Sequence, residues 1–215
     1  MPWSRFRALR LVVAFLLYAL SQRSALLSQN HTEPAQYQKH ALADGVIEYR
    51  DEKIGVSFQA GSGWELNDAV RWQDSGWKKS TTPELATTVE LTQQPSHEVV
   101  RLYYRVFRQP ARMTPNEIDK ALGEAVDDKI SQRRKQGGLE NYRVRARSYE
   151  QSEVGGWRSL SCVAEYGDEK NRMIEYLVWI QSERTLAEFF IRAPESDLGR
   201  IRKQVDPIVE SLRIP

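Results

Sequence analysis

The chain has little of what most metal-binding and catalytic sites are built from. It holds one cysteine and three histidines, so an internal disulfide and a zinc-finger cysteine pattern are excluded. The histidines His31, His40 and His97 stand at no ligand spacing. There is no HExxH, GxSxG, P-loop or GxGxxG motif before a helix. We therefore predict neither a metal site nor a cofactor.

Excess charge of one sign is also nearly absent. The 215 residues contain 31 Lys and Arg against 29 Asp and Glu, a formal net charge of +2, which is too small to indicate nucleic-acid binding. With 40% hydrophobic and 28% charged residues, collagen-like, low-complexity and polytopic membrane chains are excluded. The length suits one domain with an appendage, or two small domains.

The only long hydrophobic run lies at the N-terminus. Arg5, Arg7 and Arg10 precede the apolar segment 11–20, LVVAFLLYAL, which is shorter than the roughly 18 to 20 residues that span a bilayer. A basic start, a short apolar centre and the small-residue pattern Ala19-Leu20-Ser21 are typical of a secretory signal peptide. We predict that residues 1–21 are a signal peptide cleaved after Ser21, with an uncleaved membrane anchor as the alternative.

The remainder divides into a linker and one domain. Residues 22–44 show no periodicity and predict a flexible linker, and residues 45–215 predict a single domain. Residues 65–83, which include Trp72 and Trp77, are expected to form an irregular loop. Runs of β-branched and aromatic residues predict strands at 46–50, 54–58, 86–92, 98–107, 142–149, 157–166, 172–181 and 185–193.

Two amphipathic helices complete the predicted domain. The first begins with the capping box Thr114-Pro115-Asn116-Glu117 and ends before Gly137. Its apolar stripe is Ile118, Leu122, Val126 and Ile130. The second helix covers residues 198–212 and is expected to kink or break near Pro207. Strands grouped with strands predict an α+β fold, an antiparallel β-sheet with two amphipathic helices packed on it.

Three segments carry a resemblance to a known superfamily. They are residues 49–58 (YRDEKIGVSF) followed by Gly63-Trp64, residues 154–157 (VGGW) and residues 208–214 (IVESLRI). They resemble the opening hairpin, the glycine before the long strands and the terminal helix of the PsbP-like superfamily, whose fold is shared with the Ran-binding Mog protein. The usual proline before the Gly-Trp turn is missing, and Leu212 replaces the closing phenylalanine.

The resemblance implies an α-β-α sandwich, an extracytoplasmic or lumenal location, and a binding or assembly role. It implies no catalytic residue, because the superfamily has no common active site.

The strands between 157 and 193 suggest a binding face. If Ser182-Glu183 forms a tight turn, Leu177 faces Glu188 and Glu175 faces Phe190. The residues of one open face then include Trp179, Glu175, Glu188 and Arg192, our candidate binding residues. The opposite face, which would include Leu160 and Cys162, is apolar and should lie under both helices. An ordinary half-solvated sheet face has the same pattern, and Glu175 with Glu188 also suggests acid–base chemistry.

A second candidate is a basic patch. Arg143, Arg145 and Arg147 line one face of a predicted strand, and with residues 133–135 they would attract an anionic lipid or polymer. The alternative is that these arginines pair with glutamates on neighbouring strands. Cys162 is expected to be a buried, unreactive thiol.

These observations predict an exported, non-enzymatic binding or accessory module of the cell envelope. Its partner would be an envelope protein or the membrane surface, and not nucleic acid. The alternative is an extracytoplasmic, hydrolase-like enzyme that uses carboxylates on the open sheet face. A buried glutamate with a strongly raised pKa in a closed pocket would favour the enzyme.

Cleavage of the leader has a measurable consequence. Residues 1–21 contain three arginines and no acid, so their removal leaves 28 Lys and Arg against 29 Asp and Glu. We expect the intact mass of the exported protein to equal that of a chain that begins at Gln22. Retention of the full-length chain in membranes after alkaline extraction would instead identify an anchor.

Overall fold

The structure is a computed structural model that describes residues 32–74, 84–107, 113–135, 139, 141–145, 149–168 and 171–215. The predicted signal peptide or anchor lies outside the described residues, as do Trp77 and Arg147. Within the described ranges, no helix combines the length and the apolar character needed to cross a bilayer.

Antiparallel strands make up most of the described chain. The strands are β1 (Thr32–Pro34), β2 (Gln38–Ala41), β3 (Ile47–Asp51), β4 (Val56–Ala60), β5 (Trp64–Asp74), β6 (Glu84–Gln93), β7 (Val99–Val106), β8 (Arg143–Val144), β9 (Glu150–Val154), β10 (Trp157–Tyr166), β11 (Met173–Gln181) and β12 (Thr185–Pro194). The helices are α1 (Pro115–Lys135) and α2 (Leu198–Glu210), and 3-10 turns occupy Ala43–Gly45 and Glu195–Asp197.

The strands form one large and one small sheet. The large sheet has the order β1-β5-β6-β7-β12-β11-β10-β8, with β9 also paired to β10, and the small sheet has the order β2-β3-β4. Every pairing is antiparallel. The predicted α+β fold, an antiparallel sheet with two amphipathic helices, is confirmed.

The two helices lie on opposite faces of the large sheet, which corrects the expectation that both cover one face. On one face, Ile201 and Val205 of α2 share a core with the small sheet and with residues such as Phe189. On the other face, Leu122 of α1 packs in a separate core with Trp179. The sheet is therefore the central layer of an α-β-α sandwich.

Helix α1 has the capping box that the sequence predicts. The Thr114 backbone N–H donates to Glu117 Oε2 at 2.7 Å, and the Glu117 N–H donates to Thr114 Oγ1 at 3.4 Å. The bond from the Thr114 backbone lowers the pKa of Glu117. The predicted stripe of Ile118, Leu122, Val126 and Ile130 is buried.

The sequence predicts a kink or a break near Pro207. Helix α2 continues through Pro207 to Glu210, so it does not break there. Proline removes one helical hydrogen bond, but Ile208 and Val209 beyond it are buried in the larger core. Their packing keeps the chain helical past the proline.

Two segments predicted to be irregular contain strands. β5 pairs with β6 from Trp64 to Asp74 with a register shift after Leu66, so the predicted loop at 65–83 is wrong over the described part. The predicted linker at 22–44 is wrong from Thr32, because β1 pairs with β5 and β2 pairs with β3. Both segments are rich in polar residues, which hide a strand signal based on hydrophobic residues.

The register of the last three strands differs from the prediction. The tight turn is Glu183-Arg184, because the Ser182 N–H donates to the Thr185 carbonyl at 2.8 Å and the Thr185 N–H donates to Ser182 Oγ at 2.9 Å. Trp179 therefore pairs with Glu188, and Glu175 pairs with Arg192, two residues beyond its predicted partner Phe190.

Strand β10 is offset by one residue, which exchanges its faces. Leu160 pairs with Trp179, and a one-residue offset moves every side chain to the other face. Leu160 and Cys162 therefore belong to the core under α1.

A buried ion pair joins the small sheet to the large one. Asp51 on β3 is fully buried, and it accepts hydrogen bonds from Arg71 on β5 and from Tyr104 Oη on β7, the latter at 3.0 Å. The Arg71 side chain is 3% exposed and also contacts Glu33 at 3.4 Å. Tyr37 bonds to the Tyr104 hydroxyl. The network fastens the start of the domain to its central sheet.

Loss of this carboxylate should be costly for folding. We expect Asp51→Ala to lower the free energy of unfolding by about 3–5 kcal/mol, because it leaves the Arg71 guanidinium buried without its main counter-charge. The exposed neighbour is the control, since Glu52→Ala should change stability by less than about 0.5 kcal/mol. Urea unfolding of both variants measures the difference, and equal midpoints would contradict the role assigned to Asp51.

Candidate functional site

The centre of the candidate site is the carboxylate of Glu175 on β11, which is fully buried. Its Oε1 lies 2.9 Å from Arg133 Nη2 and 3.0 Å from Arg192 Nε. Its Oε2 accepts a hydrogen bond of 2.8 Å from Tyr142 Oη. Arg133 lies on α1, Arg192 on β12, and Tyr142 just before β8. One carboxylate thus ties together four segments.

A second set of contacts holds α1 against the same face. Lys129 Nζ lies 2.5 Å from Glu188 Oε1 and 5.2 Å from the centre of the Phe190 ring. The Arg133 guanidinium lies 5.3 Å from the same ring centre. These are charge and cation–π contacts at distances that favour attraction.

The four candidate binding residues are close together, but they do not form an open surface. Glu175, Trp179 and Glu188 are buried, with Trp179 only 1% exposed, and the Arg192 side chain is one-third exposed. The prediction of an open sheet face is therefore wrong. The reason is that α1 covers this face, whereas the sequence analysis placed both helices on the other one.

Two tyrosines that the sequence analysis missed lie beside this centre. The rings of Tyr142 and Tyr166 stack with their centres 6.2 Å apart and their planes at 27°. Burial raises the pKa of both hydroxyls, and the charge of Glu175 adds to the shift of Tyr142. Their contact depends on tertiary structure, so no local sequence signal could have indicated it.

A hollow of about 660 Å³ opens next to the stacked tyrosines. This volume lies within the range of ligand-binding sites. Three arginines line the hollow, Arg134, Arg143 and Arg172, together with Glu165 and Asp168.

The hollow continues along α1. A second hollow of about 620 Å³ shares Arg134 with the first and contains Asp127 and Tyr149. A third, of about 460 Å³, shares Asp127 and Tyr149 and has Val126 and Leu160 in its lining. Together the three hollows form one surface, which we call the α1 groove. Arg172 lies at one end of it and Leu160 at the other. Its α1 wall runs from Gly123 to Arg134, ~16 Å at 1.5 Å per residue.

The arginines of the predicted basic patch are paired. Arg143 Nε lies 2.6 Å from Glu165 Oε1, and Arg145 Nε lies 3.0 Å from Glu165 Oε2. The hydrogen bond from Arg143 is the main cause of the lowered pKa of Glu165. Arg145 also pairs with Glu195. The alternative of cross-strand pairing therefore describes Arg143 and Arg145, whereas Arg147 lies outside the described residues.

The cysteine lies in the core under α1. Cys162 is fully buried, and burial together with the charge of Glu175 raises the pKa of its thiol to about 12. The thiolate is the reactive form, so the thiol is inert at neutral pH. In the described part of the chain, no group of three or more His, Cys, Asp and Glu side chains is placed to hold a metal ion.

Comparison with known proteins finds similarity in structure only. No protein-family model matches the chain, and no curated protein matches it. Cyanobacterial PsbP (CyanoP) from Synechocystis sp. PCC 6803 is similar with a TM-score of 0.45 and 13% identity, over 81% of this chain and 95% of that one. A PsbP protein is thus among the similar structures.

Two further solved structures are similar. LpqN, which is involved in cell envelope biogenesis of Mycobacterium tuberculosis, has a TM-score of 0.43 and 9% identity, over 86% of this chain and 92% of that one. A protein from Bacteroides thetaiotaomicron has a TM-score of 0.41 and 13% identity over 74% of this chain. The chain spans 45% of the length of that protein.

The single thiol offers a direct test of the Glu175 network. We expect Glu175→Gln to destabilise α1 by about 3 kcal/mol, because it removes the buried negative charge that pairs with both Arg133 and Arg192. Opening of α1 exposes Cys162, so labelling by a thiol reagent in native conditions should become about 100-fold faster.

The matched control is the exposed Glu124 on the same helix. Glu124→Gln should label at the rate of the unaltered protein, whose thiol should react only on unfolding. Equal labelling rates for the Glu175 and Glu124 variants would contradict the role of Glu175 in holding α1.

Proposed function

We propose that the protein is an exported, non-enzymatic binding module of the cell envelope, and that the α1 groove binds an envelope protein. The observation that carries the proposal is the composition of the groove. Tyr142, Tyr149 and Tyr166 line it together with arginines. Tyrosine and arginine, like tryptophan, are enriched at the energetic centres of protein interfaces.

The fixed position of the groove walls supports this proposal. Arg133 on α1 and Tyr142 before β8 are held by the same buried carboxylate of Glu175. Binding to a surface that is already ordered loses less conformational entropy than binding to a mobile one. The groove can therefore contribute its contacts without first being assembled.

The shape of the surface favours a protein partner over a membrane. The α1 groove is concave, whereas attachment to a bilayer uses apolar side chains that project outward. Of the described residues, two large hydrophobic side chains are exposed, Leu42 and Tyr149. Tyr149 lies in the groove itself.

The state of the carboxylates supports binding over catalysis. A general acid or base must reach a proton on its substrate. The oxygens of Glu175 accept from Arg133, Arg192 and Tyr142. Glu188 is buried beside Lys129. Neither carboxylate faces the open part of the groove.

Export is the second part of the proposal. It is supported by the basic and apolar residues 1–21, which have the pattern of a secretory leader. Because an exported protein meets other proteins of the envelope, we propose a partner from that compartment for the groove.

Site-specific crosslinking in cells tests the proposal. A photo-crosslinking amino acid at position 149 should give a light-dependent adduct with one envelope protein, because Tyr149 is in the groove and 48% exposed. The matched control is the exposed position of Lys203 on α2, on the opposite face of the sheet, which should give no such adduct. Failure to form an adduct at 149, or the same adduct from both positions, would overturn the proposal.

A further inference from the structure

We infer that the Tyr142–Tyr166 end of the α1 groove is an anion site that takes a carboxylate-bearing segment of the partner, an acidic peptide. The inference rests on the proposed function and adds the chemistry of the ligand. We call this end the arginine corner and define it by Arg134, Arg143 and Arg172 around the two tyrosines.

Arginines outnumber carboxylates around this corner. The described charged residues that line the hollow or form the ion pairs around it are of two kinds. There are six arginines and four carboxylates, those of Glu165, Asp168, Glu175 and Glu195. The six are Arg133, Arg134, Arg143, Arg145, Arg172 and Arg192. An excess of charge of one sign in a concave surface concentrates the electrostatic field and attracts ions of the opposite charge.

The arginines that line the hollow are available to a ligand. The Arg143 side chain is 68% exposed, and Arg172 lies 3.6 Å from Glu195 in a pair that is about 40% exposed on both sides. Such exposed pairs contribute little and exchange readily. Arg134 forms an ion pair with none of the described residues, and its Nε donates to the Tyr142 carbonyl at 3.4 Å.

Guanidinium groups match carboxylates in geometry. Each presents a planar fork of N–H donors that a carboxylate accepts with both oxygens. The stacked tyrosines beside them provide an apolar surface that excludes water from these bonds. The arrangement therefore selects an anionic oxygen group next to a short hydrophobic or backbone portion.

The rest of the groove indicates that the ligand is a chain. Beyond Arg134 the groove continues for ~16 Å along α1, and its far end has Val126 and Leu160 in its lining. That length accommodates roughly four to five residues of extended peptide. An acidic residue at the arginine corner and an apolar residue at the far end would fill both parts.

Glu165 acts in this scheme as an internal competitor. Its two oxygens occupy Arg143 and Arg145, so it holds the arginines in place in the absence of a ligand. Removal of its charge would increase the positive charge of the corner by one. The inference therefore predicts one variant that binds more tightly, which general damage to the fold would not produce.

Fluorescence anisotropy with a labelled peptide of six glutamates tests the inference. We expect binding that weakens between 50 and 200 mM salt, and no binding of the six-glutamine counterpart. Arg134→Ala combined with Arg172→Ala should weaken binding at least tenfold. Glu165→Gln should strengthen it several-fold, and Arg50→Ala, which removes an exposed arginine on the small sheet, should change nothing.

Three outcomes would overturn the inference. They are no binding of the acidic peptide, an equal loss of binding in the Arg50→Ala control, and binding only to phosphatidylglycerol vesicles but not to the peptide. A crosslink at position 149 without peptide binding would leave the proposed function standing and remove only the anion site. Absence of both would remove the two proposals together.

Discussion

The carboxylate of Glu175 is buried on strand β11 of the large sheet, and burial of a charge is unfavourable unless other groups compensate it. Arg133, Arg192 and Tyr142 supply that compensation from three other segments. Because each must reach the same two oxygens, the end of α1 and the segment before β8 have fixed positions. The Tyr142–Tyr166 end of the α1 groove lies between those two elements, so the shape of that end depends on this one carboxylate.

The same principle recurs in the neighbouring ion pairs. Glu165 is shared by Arg143 and Arg145, and Glu195 by Arg145 and Arg172. Where two arginines share one carboxylate, the local charge is positive. The formal charge of the whole chain, by contrast, is only +2. A nearly balanced composition therefore coexists, among the described residues, with a local surplus of arginines over carboxylates around the arginine corner.

How much of this could be predicted from the sequence depended on the range of the interactions. The capping box at Thr114 and the stripe from Ile118 to Ile130 are local, and both are present as predicted. The faces of β10 depended on a one-residue offset that nothing local determines. Glu175 and Glu188 were correctly grouped on one face, but the position of α1 over them depended on tertiary packing.

The order of strands in the large sheet has a consequence for how the chain folds. β5, β6 and β7 are consecutive in sequence, as are β10, β11 and β12, and the two groups join only where β7 pairs with β12. Partners across that seam, such as Val106 and Thr185, are about eighty residues apart, so its formation closes a long loop. A chain exported from its N-terminus would hold β7 as an unpaired edge until β12 emerged, and unpaired edges favour aggregation. The new protein is therefore most prone to aggregation in the interval between the export of β7 and the export of β12.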